Sequence, residues 1–527
     1  MESAMIYGKN RHFFGGLEPS NMKYFGATSS NGTITLSCQL PDDTYINGQL
    51  LCTVAGAVIR YKTDGYPKDE FDGDELGMIT ASGGSTVEIE DMVHSADDIV
   101  YYAAFPYSDQ GVYNRSDKNR TYVKGIAAGY YFGYDIDLSE PDPDTRVTYL
   151  TDDYVDNRNY TPAKMNFSTG IFDYGGWNIT PGEKFMPRPC MLKYDGTVDY
   201  HLDPNDYTKK VDGTASDVTN IDYAANAMMQ WPKIYTKRWE ENGVYHFRCS
   251  DVKIDDDYEC WCNYDKDNNE IPYFYTGIYN GCVYNSTVRS ISGRSLNVGN
   301  SQPTTLRTQI KKNGDDWEFE TLSDRLLIND LLTMMGHTTD LQTAFGSGVV
   351  NGDNTVKPGS GNTKGLFWGD ETGVSVVKIF GMEHFWGNLD RITCGLAVKF
   401  NSSTTSDIYI KCTRGTKDGS TNDEYDIKGD GYICVATGVA NTNGYISEML
   451  TTEYGRIPIK GEGASTHYEG DHVDITRPAS GDTNIALFGH GVGFTTYSGP
   501  FAMDCSYNYG SSMVISSAVL SCKPSLT

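Results

Sequence analysis

The sequence predicts a multidomain, strand-rich protein in which an all-β sandwich precedes a larger α+β unit. Three observations carry this reading. The chain holds 56 Gly and 38 Tyr, and that Gly share, above the usual figure of about 7%, marks turn-dense β structure. Short runs alternating apolar and polar residues recur between Gly, Asn and Asp, which is the period of a half-buried strand. At 527 residues, the chain exceeds what one core supports, so several domains are expected.

The elements of the first domain follow in order over residues 21–125. Asn31-Gly32 turns the chain into Thr33-Ile34-Thr35-Leu36-Ser37. Ala57-Val58-Ile59-Arg60-Tyr61 and Thr86-Val87-Glu88-Ile89-Glu90 repeat the alternation, and Ile99 to Ser108 and Gly111-Val112-Tyr113 close the set. Strands at this spacing predict a sandwich. The strings ATSSNGTITLSC, AVIRYKTDGYP and YYAAFPYSDQGVYN resemble a fibronectin type III module across about 100 residues. Residues 1–20, with Arg11-His12-Phe13-Phe14-Gly15-Gly16, precede this set and, on what the resemblance given below implies, would attach the chain to a particle or a neighbouring subunit. Leu138 to Asp144 is charged and broken by Pro141 and Pro143, which places a connector at 126–145.

From 146 to 527 the chain reads as one α+β unit with two helical segments. Ile221 to Met229 is Ala- and Met-rich and is stopped by Trp231-Pro232. Ser323 to Met335 has Ser323 as N-cap, an apolar face of Leu326, Leu327, Leu331, Met334 and Met335, and Gly336 as its stop. Phe385-Trp386-Gly387-Asn388 marks a buried aromatic elbow, because Gly takes backbone angles other residues resist and Asn bonds its own turn. A long polar excursion over 401–480 follows, then Ala486-Leu487-Phe488-Gly489-His490-Gly491 and the closing strand Val519-Leu520-Ser521-Cys522-Lys523. This order resembles the C-type-lectin-like fold of the formylglycine-generating-enzyme type, which phages use in tail and tropism proteins.

The net charge of -27 argues against nucleic acid and against an anionic membrane surface as partners. No apolar run approaches the length of a membrane span. Met1 to Asn10 has no basic region followed by an apolar stretch, so a secretory signal is not expected, and the chain would stay in a cytosol or leave by lysis or within an assembly. Cysteines are scattered, and the Cys260-Trp261-Cys262 spacing is not the usual zinc pattern, so buried reduced thiols are expected. Acidic clusters at Asp152, Asp153 and Asp156, at Asp255-Asp256-Asp257, and at Asp265, Asp267 and Asn269 read as solvated turns. The last lacks the Gly and the closing Glu of an EF-hand loop, with Glu270 and Thr276 at those places. No metal or cofactor is expected.

Catalysis finds little support. No G-x-S-x-G elbow occurs, and neither His384 nor His490 has a sequence neighbour suited to a triad. The resemblance sharpens this point. The enzymes of that group follow the elbow's Gly-Asn with a Glu-Trp pair, whereas Leu389-Asp390-Arg391-Ile392 stands here. Their copper-binding cysteine pair would have to be Cys505 and Cys522, of which Cys522 reads as core. A non-enzymatic chain is expected.

Binding is expected at Phe494, Thr495, Thr496 and Tyr497 and at Asp504, Ser506, Tyr507 and Tyr509, where rigid rings alternate with small polar groups as in antibody paratopes. Phe385, Trp386, Gly387 and Asn388 are expected to be structural. The resemblance implies a virion component of a phage infecting Gram-positive gut bacteria. It would bind a host-surface glycan or protein through its C-terminal domain, contact other virion subunits and form a homotrimer, without nucleic acid or membrane insertion. A head fibre or capsid decoration protein without a defined receptor is the alternative, and an enzyme of the formylglycine-generating type is the third reading.

Overall fold

The computed structural model describes residues 16–30, 32–91, 99–124, 129–149, 156–177, 185–296, 301–352, 354–411, 432–476, 483–513 and 516–525. Residues 1–15 of the expected attachment segment, Asn31, Asp152, Asp153, and residues 412–431 and 477–480 of the 401–480 excursion lie outside them. The protein is predominantly β-sheet, with 45% strand and 8% helix. Two compact units divide it: residues 1–130 with 252–256, and residues 131–251 with 257–527.

Among the described residues the first unit contains two larger sheets beside a two-stranded hairpin of Thr44–Ile46 and Gln49–Cys52. One orders Tyr24–Ser30, Thr33–Gln39 and Thr86–Asp91; the other orders Asp74–Thr80, Val54–Lys62, Ile99–Ser108 and Arg120–Lys124. Period-two alternation decides which side chains turn inward. Along Thr33–Gln39, Ile34, Leu36 and Cys38 are buried while their neighbours are partly exposed. They pack against Val54, Ala57, Ile59, Val100, Tyr102 and Ala104 of the second sheet. The buried Tyr102 hydroxyl donates to Asp91 Oδ2 at 2.6 Å, pinning one sheet to the other. Unpaired, that carboxylate would be costly this deep.

The second unit begins at Tyr131, because Tyr131–Asp137 is a buried strand hydrogen-bonded to Val244–Ser250. The Pro-Asp run from Leu138 to Asp144 thus lies inside this unit rather than between the two. The unit's larger sheet runs, among the described residues, from Asp206–Lys210 through Ala225–Pro232, Tyr273–Gly277, Leu520–Cys522, Trp317–Thr321 and Asp390–Phe400. It continues through Thr483–Phe488, Met503–Asp504 and His472–Asp474 to the Asn443–Thr452 and Gly455–Gly463 hairpin. The C-terminal strand is therefore central, wedged between Tyr273–Gly277 and Trp317–Thr321.

The expected helix over Ile221–Met229 is absent: residues 221–224 form a turn and Ala225–Pro232 is a strand. Ala225–Pro232 pairs with Arg188–Lys193 and with Tyr273–Gly277, and Ala225 through Met229 are all buried. A strand covered on both faces shows no alternation, so its apolar run imitates a helix, and burial overrides the weak helical preference of Ala and Met. The helix at Leu322–Gly336 is present, with a different cap: Thr321 Oγ1 accepts from the Asp324 amide at 3.3 Å, and Ser323 lies inside the first turn. Past Gly336, His337 takes the left-handed φ of 53° that ends the helix. All of its residues except Ser323 are buried, polar ones included. Asp330 accepts from Tyr134, Tyr245 and Arg238 at 2.7, 3.1 and 2.7 Å.

Two hydrophobic cores lie on opposite faces of the sheet around Asp390–Phe400. Ile392, Cys394, Ile485 and Leu487 enter one, and Leu396, Val398, Phe400 and Phe488 enter the other. A bulge between Thr393 and Ala397 shifts the register. It keeps each face apolar despite the change of parity.

Candidate functional site

The elbow is the floor of the candidate site. Phe385, Trp386 and Asn388 have no exposed surface. Trp386 Nε1 donates to the Gly346 carbonyl at 3.0 Å, and the Asn388 amide exchanges hydrogen bonds with the Val356 backbone at 2.8 and 3.0 Å. Gly387 has φ of 71°, and a Cβ there would lie 2.8 Å from the Val349 nitrogen, so only Gly fits. The elbow meets the Gly-rich segment directly: Gly387 N donates to Gly489 O at 3.1 Å and Val492 N to Asn388 O at 3.2 Å.

Three buried charges brace this junction. Arg325 of the long helix donates to Phe385 O at 2.9 Å and to Pro500 O at 2.8 Å, and its guanidinium stacks 3.8 Å from the Phe385 ring centre. Arg391 donates to the carbonyls of His384 and Glu383 at 3.0 and 3.1 Å. Glu320 sits between the two arginines, 2.8 Å from Arg391 and 3.6 Å from Arg325. Removing Glu320 would leave two buried arginines without their shared counter-ion.

Strand register places a second group of residues above that floor. Arg391 faces Phe488, Phe488 faces Met503 and Met503 faces Val473. One residue further along each strand, on the opposite face, the row reads Asp390, Gly489, Ala502 and His472. A Cβ at Gly489 would lie 3.0 Å from the Phe385 carbonyl oxygen, so this position packs directly on the elbow, and the next residue, His490, approaches both Asp390 and His472. His490 Nδ1 is 3.8 Å from Asp390 Oδ1, and the two imidazole ring centres are 6.1 Å apart. Burial, with a smaller contribution from His490, pushes the His472 pKa down to about 4. Burial pushes the Asp504 carboxyl above its ordinary range.

The expected binding loop roofs this group. Phe494 stacks on His490 at 4.7 Å and Tyr497 stacks on His472 at 4.5 Å. Thr495 and Thr496 are exposed, and Tyr497 is 40% exposed. Tyr445, which lies outside the residues expected from sequence, stands edge-on to Tyr497 at 5.4 Å and shares a 2.7 Å hydrogen bond with the Thr496 hydroxyl. Backbone strain concentrates here: His384, Asn388, His490 and Thr495 have φ of 55°, 69°, 45° and 48°. For a β-branched residue such as Thr495 this is a true outlier, of the kind that collects at binding and catalytic sites.

The second expected segment is placed differently. Asp504 is buried and its carboxylate accepts from the Ser506 amide at 2.7 Å. Ser506, Tyr507 and Tyr509 are half-buried, and the two tyrosines pack against the core containing Ile485 and Leu487. They line the supporting sheet rather than the open loop.

Other sequence candidates resolve locally. Asp265 accepts from the amides of Asp267 and Asn269 at 2.8 and 2.9 Å, so its carboxylate closes its own turn. Glu259, Cys260 and Glu270 place ligand atoms within 4.8 Å of one another. Glu270 there is held by Lys233 and Tyr235 at 2.9 and 3.0 Å, and Glu259 by the Tyr264 hydroxyl. Cys505 and Cys522 enter opposite cores. No protein-family model matches the chain, and no curated protein matches it.

Proposed function

We propose that this protein is a phage virion component that binds a host-surface ligand, a glycan first, through its second unit. The carrying observation is the ring platform at Tyr445 and Tyr497. One ring is 40% exposed and set edge-on to the other, beside the free faces of Thr495 and Thr496, on a backbone held in a strained conformation over a braced floor. Tyrosine offers an apolar face and a hydroxyl with only two side-chain torsions to freeze, which suits a sugar's alternating C–H and O–H surface. The rigid elbow beneath lets the loop change its side chains without loss of the fold.

The topology supports the resemblances on which the virion reading leans. In the first unit, strands one, two and the later Thr86–Asp91 form one sheet, and the remaining long strands form the other, the partition of a fibronectin type III module. In the second unit the elbow packs on the Gly-rich segment, and the last strand closes the centre of the sheet, the arrangement expected of a C-type-lectin-like domain. A binding role also agrees with the residues after the elbow, where Leu389 and Asp390 follow Gly387-Asn388 in place of the enzymes' Glu-Trp pair. The opposed cores of Cys505 and Cys522 give no support to a copper pair.

A glycan array printed with cell-wall polysaccharides of Gram-positive gut bacteria tests this reading. The full chain should retain a defined subset of spots, and Tyr497→Ser should lose them. Absence of any retained spot with the wild-type chain would favour the head-fibre or decoration role.

A further inference from the structure

We propose that a cavity beside the Asn443–Thr452 strand binds the carboxylate of an acidic sugar, a hexuronate residue, on the guanidinium of Arg146. The cavity measures about 340 Å³, within the range of about 300–1,000 Å³ usual for small-molecule sites. All of its lining residues belong to the second unit. Two buried polar groups in its wall have no hydrogen-bond partner among the described residues: Arg146 Nε and the Thr451 hydroxyl. Arg146 is only 3% exposed. Buried polar groups nearly always have partners, so two orphans in one cavity wall mark a place where a ligand completes the bonding.

Arg146 is also short of negative charge. Its NH1 donates to Glu469 Oε1 at 3.4 Å, but the same oxygen takes a 2.5 Å bond from Arg456 NH1. Two buried guanidiniums thus share one buried carboxylate, and a buried charge without full compensation is costly. Burial draws the Arg146 pKa below its ordinary value; Glu469 works against that shift and Arg456 adds to it. The side chain is nonetheless fixed in place. Its guanidinium lies 4.9 Å from the Tyr468 ring centre, and its backbone bonds to Asp137 and Asp142 at 2.9 and 3.1 Å. The Tyr468 amide in turn donates to the Pro141 carbonyl at 2.7 Å. The Pro-Asp run, expected from sequence to be a connector, therefore supports the wall that carries Arg146.

The rest of the lining selects the ligand. Arginine presents a planar fork of N–H donors that matches a carboxylate. Leu138, Met449, Leu450 and Ile459 supply apolar surface, which suits the C–H face of a sugar ring. Glu240 and Glu448 line the cavity where it meets solvent, and both are exposed. Their carboxylates accept from sugar hydroxyls and repel a more highly charged anion such as a phosphomonoester. One carboxylate among several hydroxyls, the chemistry of a uronic acid, meets all of these demands.

The inference stands apart from the ring platform, because the probe is a monosaccharide and the readout is its own binding rather than adsorption to cells. Sodium glucuronate is titrated into the full chain and followed by saturation-transfer NMR. Binding should saturate, whereas glucose, which lacks the carboxylate, and glycerol 1-phosphate should each bind about tenfold more weakly or worse. Arg146→Met leaves Glu469 paired with Arg456, so it should keep the fold by circular dichroism and weaken glucuronate about tenfold or more. Thr451→Val, of nearly the same shape, should keep the fold and weaken it about threefold. No saturable signal from the wild-type chain, glucose or glycerol 1-phosphate bound as tightly as glucuronate, or unchanged affinity in either variant would each overturn the proposal.

Discussion

Replacing Trp386 by Ala removes the largest ring of the elbow, and the cost can be worked from its surroundings. The side chain has no exposed surface, touches Phe385 edge-on at 6.4 Å between ring centres, and donates to the Gly346 carbonyl at 3.0 Å. Truncation of a fully buried Trp costs about 3–5 kcal/mol through lost transfer energy and the cavity left behind. The orphaned Gly346 carbonyl pushes the value toward the upper end, since an unmade buried hydrogen bond costs about 1–3 kcal/mol. Relaxation is limited, because Gly387 is tied to the Gly489 carbonyl and Phe385 is held under the Arg325 guanidinium. All seven Trp residues lie in the second unit. Tryptophan fluorescence in urea therefore reports that unit's unfolding without contribution from the first. The midpoint should fall by an amount equivalent to at least about 3 kcal/mol. A variant within 1 kcal/mol of wild type that had nevertheless lost ligand binding would refute the structural reading and make the elbow itself the contact surface.

Three further outcomes are expected. Asp330→Ala should cost about 3–5 kcal/mol by the same fluorescence assay, because Arg238 is then left buried without its partner; a cost below 1 kcal/mol would contradict the central place given to that carboxylate. Burial, helped by Arg391, holds the His384 pKa down at about 3 against an ordinary 6.5, so the folded state keeps this ring neutral while the unfolded chain takes up a proton. Stability from this group is present above pH 6.5 and is lost as pH falls toward 3, by about 2 kcal/mol between pH 7 and pH 5. His384→Asn, which tolerates the left-handed backbone, should flatten that part of the pH profile, and an unchanged slope would assign the titration elsewhere. Limited proteolysis should cut near the division at Tyr130 and Tyr131 and release a fragment that keeps every Trp, whereas first cleavage within the 188–250 strands would argue against two units.

Much of the architecture was legible because its signals are local. Alternation alone identified Thr33–Gln39, Val54–Lys62 and Thr86–Asp91, and the helix at Leu322–Gly336 announced itself by its apolar spacing. The strand at Ala225–Pro232 was misread, since burial on both faces erases the period that separates strand from helix. Of the candidate site, Phe494 to Tyr497 and the elbow were readable from composition and turn chemistry. Asp390, His472 and Tyr445 were not, because only strand register brings residues from three distant segments into one row. Arg325 and Asp330 left a faint signal, charged residues within an otherwise apolar helix, but their partners at Pro500 and Tyr134 lie about 175 and 196 residues away along the chain. Tyr507 and Tyr509 resembled Tyr497 in sequence, and the difference between an exposed ring and rings packed on a core appears only once the sheet is assembled.

Adsorption of the full chain to host cells, measured beside its melting temperature, tests the central claim most directly. Replacing Tyr445 and Tyr497 together by Ser should abolish adsorption and leave melting within about 2 °C of wild type, because Tyr497 is exposed and the half-buried Tyr445 packs on the loop rather than on a hydrophobic core. Replacing Tyr507 and Tyr509 should lower melting, because both pack against a core. Full adsorption by the Tyr445 and Tyr497 double variant would contradict the account and remove the ring platform as the ligand site.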